Sequence, residues 1–507
     1  MRADSAWING CCIPRCRGGM PMKRLSCVVL WFAALGGCAQ IEVPKLSIVK
    51  DDPSLTLFDA RFPGAASAQD RVSQQPTQSY LLQHRALGTA EHSQIDDYTN
   101  AVLKRLQRTL PGAPAEARVY VTPTTEFSAA SYEDGGIYIP YKVFSALESE
   151  DELAALIAHE YAHVLLAHHK TNWLDTASGL LYSAGKMYIG QRKADLVEND
   201  LLRMLAINEA GLGLSQIGLI PGLTRAQEDE ADRLGVDLMI RAGYSYVGAH
   251  KLLTRIKTWD DITRAQREAR RQDYVRLFKS SDNSALAKAL DGQVDKLEDQ
   301  VTKLLAQWSR HHDAGETRID SLRSYLKQHY DDANRPPLRV AEYQSVMGTS
   351  NARHFFSGLD QAHHSSLALM KQDRKSAMTY ARQAERSPAS SAAYSRHVLI
   401  NSLTVNGRGR DAVTALEELV SGDRALYNDN LLLVEVLRKQ DPERALALAQ
   451  RSYDRFGEPA DLLPDLITLN KQLNRNWFVM KFYGVCAAKA MAATDNALLD
   501  SCNKAKG

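Results

Sequence analysis

The segment His159-Glu160-Tyr161-Ala162-His163 lies inside an apolar run at helical spacing, and this combination constrains the chain more than any other stretch. Leu153, Leu156, Ile157 and Val164 recur at one-turn intervals. Ser149 followed by Glu152 makes a capping box, so one buried helix is predicted from about Ser149 to His169. Positions four apart share a helix face. His159 and His163 therefore aim their imidazoles at a single metal ion, with Glu160 beside it to handle the proton of a water molecule. Chance can also place two histidines and a glutamate in this order on a core helix, so the reading needs a third ligand.

His169 stands six residues after His163, the spacing at which some zinc sites place a third histidine after a helix-breaking glycine. Leu166 occupies the glycine position here. The helix is expected to continue and to turn His168 and His169 about 140° and 240° away from His163, which reads both as surface histidines. A better third ligand lies in Thr224-Arg225-Ala226-Gln227-Glu228-Asp229-Glu230-Ala231-Asp232, the threonine-capped start of a second amphipathic helix. Glu228 and Asp232 are four apart and share a face. A carboxylate ligand, with a second carboxylate accepting a bond from a ligating imidazole, is a common donor set for catalytic zinc.

With these residues in view, the chain resembles a known family. His159-Glu160-x-x-His163, followed 65 residues later by Glu228-x-x-Ala231-Asp232-x-x-Gly235, is similar to the gluzincin metallopeptidases of the group that contains the CAAX prenyl protease, HtpX and the Oma-type enzymes, metallopeptidase family forty-eight. Within it the resemblance is to the soluble periplasmic branch with C-terminal tetratricopeptide repeats. It implies that His159, His163 and Glu228 ligate one Zn2+ per chain, that Glu160 is the catalytic base, and that Asp232 supports a ligand from behind. It also implies that Gly135-Gly136-Ile137-Tyr138-Ile139 is a strand pairing with substrate; from sequence alone, that strand can equally be an inner one. The asparagine-alanine-proline signature usual before it is absent. His311-His312-Asp313 and Arg318-Ile319 resemble a His-Pro…Arg-Ile feature of the family, with Asp313 in place of proline. By that resemblance His312 is a gate over the metal or a transition-state stabiliser, the alternative being a surface histidine. Arg318 either hydrogen-bonds near the site or stabilises the oxyanion.

The fold class expected is mainly α with a small β-sheet, a gluzincin-type α+β peptidase domain followed by an all-α repeat domain. Short strands are expected at Arg118–Thr122 and Gly136–Ile139, and an amphipathic helix at about Gln94–Leu110. The peptidase domain is read as residues 81–335, with a charged helical insertion at about 260–310; the Gly-rich passage within 171–223 carries no nameable chemistry. After Arg335-Pro336-Pro337, residues 336–507 read as tetratricopeptide-like helix pairs. Ala377, Ala412 and Ala445 recur at intervals of 35 and 33, close to that repeat's period.

Lys23-Arg24 precede an apolar run ending Leu35-Gly36-Gly37-Cys38, the layout of a secretory signal over residues 1–37 with its start near Met20 or Met22. Its end resembles a bacterial lipobox with Cys38 as the lipidated residue, and Ala39 favours the outer membrane. Residues 38–80 read as the lipidated N-terminus and a flexible tether. Residues 1–37 hold five basic residues and one acidic, leaving 57 basic against 59 acidic beyond them, a balance that argues against a nucleic-acid partner. Beyond the leader only Cys38, Cys486 and Cys502 remain. With Cys38 lipidated, the other two form an even pair in an oxidising compartment, which points to a disulfide.

Two functions follow. One is a lipid-anchored zinc metalloendopeptidase on the periplasmic face of the envelope, degrading unfolded or misassembled envelope proteins, with the repeats engaging outer-membrane assembly machinery. The other is a non-catalytic repeat scaffold or holdase. All five residues of the expected site, His159, Glu160, His163, Glu228 and Asp232, are present, which favours the enzyme.

Overall fold

A computed structural model describes residues 54–63, 78–85, 87–110, 117–125, 129–168, 223–259, 315–422 and 424–507. Cys38, His169, His312, most of the 171–223 passage and the 260–310 segment lie outside the described residues.

Most of the described chain is helical, around one three-stranded sheet. Helix α1 (Leu57–Arg61) and α2 (Gln78–Arg85) precede α3 (Ser93–Gln107), whose Ile95, Val102, Leu103 and Leu106 are buried on one side. Strands β1 (Arg118–Thr122), β2 (Ala130–Ser131) and β3 (Gly136–Pro140) follow, then α4 (Tyr141–Ala146) and α5 (Glu150–Leu165). The sheet order is β1-β3-β2, with β1 parallel to β3 (Val119 opposite Ile137) and β2 antiparallel to it (Ser131 opposite Ile137).

This order corrects the expectation that residues 136–139 form the substrate-pairing strand. β1 pairs along the whole of β3, and β2 covers its other edge at Ile137 and Tyr138, so over those residues β3 is an inner strand. The outer edge of β1 is also taken: the Asn100 side chain donates to the Val119 carbonyl and accepts from its amide, both at 3.0 Å, and the Ala90 amide donates to the Val121 carbonyl at 2.8 Å. Among the described residues, the edge left open is that of β2, which packs beside α5.

The stretch read as a tether also contains ordered structure. Thr56 caps α1, and that helix packs on α6 (Arg225–Arg241) with Leu57 and Phe58 buried. The Phe58 amide donates to Asp237 at 2.8 Å, and Arg241 lies 4.0 Å over the Phe58 ring. One buried apolar pair behind a threonine cap is too short to register as periodicity, so the sequence pattern hid it.

Beyond α6, a helix over residues 247–259 and α7 (Gly315–Tyr330) complete the surroundings of the site. Helix α8 (Val340–Met347) and α9 (Ser350–Met370) still contribute Tyr343, Met347, Phe355 and Leu359 to the same core as α5. From α9 onward helices alternate with short turns: α10 (Arg374–Glu385), α11 (Ala393–Val405), α12 (Gly409–Ser421), α13 (Tyr427–Gln440), α14 (Pro442–Arg455), α15 (Leu463–Gln472), α16 (Asn476–Ala492) and α17 (Asn496–Lys506). Ala377, Ala412 and Ala445 stand near the starts of α10, α12 and α14 and are all buried, where a larger side chain would hold neighbouring helices apart. Cys486 and Cys502, both fully buried, are joined as a disulfide that ties α16 to α17. Tyr141 of α4 donates to Asp360 of α9 at 2.6 Å, and Arg424 pairs with Glu91 at 2.8 Å, so the helical array rests directly on the sheet-containing part.

Candidate metal centre

Helix α5 begins where Ser149 accepts from the Glu152 amide at 3.3 Å, with Glu150, Asp151 and Glu152 at its positive end. Asp151 is buried and accepts from the Ser245 amide (2.8 Å) and the Arg339 amide (2.6 Å), which pins the helix to segments far along the chain. Helix α6 starts in the capping box of Thr224 and Gln227. The two helices lie face to face, and Gly235 marks their closest approach: a Cβ there would sit 3.2 Å from the His159 amide nitrogen. Gly235 thus explains the glycine of the Glu228-x-x-Ala231-Asp232-x-x-Gly235 pattern.

This packing brings the three expected ligands together. One ligand atom from each of His159, His163 and Glu228 lies within 4.8 Å of the others. The His159 and His163 Nε2 atoms are 3.1 Å apart, and the Glu228 oxygens stand 3.4 Å from the first and 3.8 Å from the second. Two imidazole nitrogens and a carboxylate converging on one point, with an adjacent glutamate, form a donor set that suits zinc and leaves room for water.

Asp232 and Arg318 stand behind the ligands. His159 Nδ1 lies 2.9 Å from Asp232 Oδ1, an ion-pair contact between ring and carboxylate without hydrogen-bond alignment. Arg318 grips Asp232 with two bonds of 2.8 Å and reaches Glu228 at 2.9 Å. Of the two roles open to Arg318 from sequence, this geometry fits the one of holding carboxylates, since its fork is committed to them.

The charges of the cluster shift its titrating groups in opposite directions. Burial opposes the charged form of His159, yet the Asp232 and Glu228 carboxylates outweigh it and raise the ring's pKa to about 10. Burial also works against ionised Glu228, and the Arg318 guanidinium overrides it, holding that carboxyl well below the usual range. Asp232 is likewise lowered, to about 2, by Arg318 against the effect of burial. Glu160 behaves oppositely: burial pushes its carboxyl up, with the His159 charge and a bond from Ser131 only partly compensating. That bond, from Ser131 Oγ to Glu160 Oε2, is 2.8 Å.

The expected helix end needs a correction. Helix α5 stops at Leu165 rather than near His169, because Ala167 takes a left-handed conformation (φ 49°) and the His168 amide bonds back to the His163 carbonyl at 3.1 Å. His168 is therefore buried, not at the surface, and its Nδ1 lies 2.9 Å from His163 Nδ1. Its Nε2 is 3.3 Å from Glu230. Sequence reasoning missed His168, Glu230 and Ser131. The only local hint was a histidine five residues after His163, and nothing in Leu166-Ala167 signals a helix break.

Comparison with known proteins agrees with the geometry. Residues 94–326 match the model of peptidase family M48. The chain is similar to the beta-barrel assembly-enhancing protease of Yersinia pestis, 27% identical over 177 residues covering 32% of this chain and 33% of the relative. It is also similar to the putative beta-barrel assembly-enhancing protease of Vibrio cholerae serotype O1, 23% identical over 245 residues covering 46% of each. The matched stretch thus spans between a third and just under half the length of these relatives.

Proposed function

Taking residues 94–326 as a peptidase family M48 domain, and hence a metallopeptidase, we propose that the chain is a zinc-dependent endopeptidase of the bacterial envelope acting on unfolded or misassembled outer-membrane proteins. The observation that carries this reading is the convergence of His159, His163 and Glu228 with Glu160 on the same helix turn. When bound by these three residues, zinc supplies Lewis acidity toward a peptide carbonyl and eases the ionisation of water. Glu160 takes the proton from the attacking water and hands it to the leaving amine. Among the described residues Ser131 bonds to Oε2 of Glu160, which leaves Oε1 to face that water. The open edge of β2 lies in the same strand as Ser131 and beside α5, so an extended peptide added there runs past the catalytic turn.

The wider role rests on the arrangement around this centre. The stacked helix pairs with buried alanines support a degenerate tetratricopeptide-like array that recruits substrates or assembly machinery. The Leu35-Gly36-Gly37-Cys38 lipobox pattern supports a lipid anchor that keeps the enzyme on the periplasmic side of the outer membrane. No helix among the described residues is long and apolar enough to cross a membrane. The test is cleavage of casein and of an unfolded outer-membrane β-barrel by the purified mature chain. Activity should disappear with a chelator and return with zinc; cleavage that survives complete metal removal contradicts the proposal.

A further inference from the structure

We propose that His168 is a positioning residue for the metal ligand His163, held by Glu230 and, through Glu230, by Arg61 of α1. The inference rests on the zinc reading above and extends it to residues outside the motif. For His163 Nε2 to offer a lone pair to a metal, its proton must sit on Nδ1. The acceptor facing that proton is His168 Nδ1, at 2.9 Å. His168 then carries its own proton on Nε2, which faces Glu230 Oε2 at 3.3 Å. A carboxylate only accepts, so the direction of the relay is set, and Arg61 Nη2 donates to the other oxygen, Oε1, at 2.6 Å. Donor meets acceptor at each step. The bond from His168 holds the Glu230 carboxyl below its usual range, with Arg61 adding to the effect against partial burial.

The backbone secures the same arrangement. Ala167 spends a left-handed conformation to swing His168 back under α5, and Gln227 Nε2 donates to the His168 carbonyl at 3.3 Å. Each ligating histidine thus has a charged outer neighbour: His159 Nδ1 is within 2.9 Å of Asp232, which Arg318 grips, and His163 Nδ1 is hydrogen-bonded to His168, whose partner Glu230 is gripped by Arg61. Outer partners of this kind fix the tautomer and ring orientation of metal-binding histidines, and their loss typically weakens metal binding about 10- to 100-fold. Because Arg61 belongs to α1, seating of that short N-terminal helix contributes to how firmly the metal is held.

Zinc affinity of the full mature chain, measured by competition with a chromophoric chelator, tests this without reading activity. His168→Phe should weaken zinc binding about 10- to 100-fold, and Glu230→Ala by about three- to tenfold. The double variant should bind no more weakly than His168→Phe alone, because Glu230 acts through His168. A general packing defect would instead make the two losses add. Metal-free melting of each variant checks the fold. If His168→Phe does not fold, the pair Arg61→Ala and Glu230→Ala decides by the same non-additivity. The proposal is overturned if His168→Phe binds zinc within twofold of wild type while His163→Ala loses it, or if the losses add. Wild type that binds no zinc would instead defeat the underlying zinc assignment.

Discussion

Replacing Arg318 with methionine keeps an unbranched apolar stem and removes three charge-assisted bonds, two to Asp232 and one to Glu228. The two carboxylates are almost enclosed, with side-chain exposures of 8% for Asp232 and 21% for Glu228. Breaking a buried ion pair by deleting one partner costs about 3–5 kcal/mol, because the remaining charge stays desolvated. In the metal-free protein, Arg318 and protonated His159 balance Asp232 and Glu228, so the variant carries one uncompensated negative charge. Zinc at the three ligands supplies positive charge next to Glu228 and should relieve part of that cost. Amide hydrogen exchange along α5 and α6 reads the local opening free energy directly, and about 3 kcal/mol corresponds to roughly 150-fold faster exchange. Arg318→Met should reach or exceed that acceleration with a chelator present and show a clearly smaller one in saturating zinc. Less than about fivefold acceleration in both conditions would refute the view that Arg318 neutralises this pair.

Ser131→Ala should leave zinc content unchanged and lower kcat about tenfold, the value of one buried bond to a charged group, as measured by steady-state cleavage of a fluorogenic peptide; an unchanged kcat would remove Ser131 from the orientation of Glu160. Gly235→Val places branched carbon where even a single added Cβ would come within 3.2 Å of the His159 amide nitrogen, so zinc affinity should fall along with stability, both read by titration and melting. In the metal-free protein, His159 has its pKa raised to about 10 and is therefore protonated at neutral pH. Zinc binding at pH 7 should then release a proton from His159, and affinity should rise with pH; calorimetry in two buffers of different ionisation enthalpy measures the release, and none would contradict the raised pKa.

The helix carrying His159, Glu160 and His163 was legible because its information is local: a cap, an apolar stripe and residues one turn apart. Glu228 and Asp232 were legible for the same reason, as a second local pattern, although the contact between the two helices is not itself written in either. What stayed hidden depends on the chain meeting itself at long range or on a single backbone angle. Residues 136–139 look like a strand from any side, and only the return of β2 and the position of β1 make that strand an inner one. His168 looked like a surface residue because Leu166 and Ala167 favour continued helix; the left-handed turn at Ala167 reverses that. Arg61 and Glu230 are 169 residues apart, and α1 announces itself by one capped apolar pair. Ala377, Ala412 and Ala445 all lie buried near the starts of α10, α12 and α14, where small side chains let neighbouring helices come close.

The most direct test of the central claim is Glu160→Gln in the purified mature chain, with zinc content and casein cleavage measured on the same preparation. The variant should hold one zinc per chain, because His159, His163 and Glu228 are untouched, and cleavage should fall to background. Full cleavage by a zinc-loaded Glu160→Gln chain would contradict the assignment of Glu160 as the base.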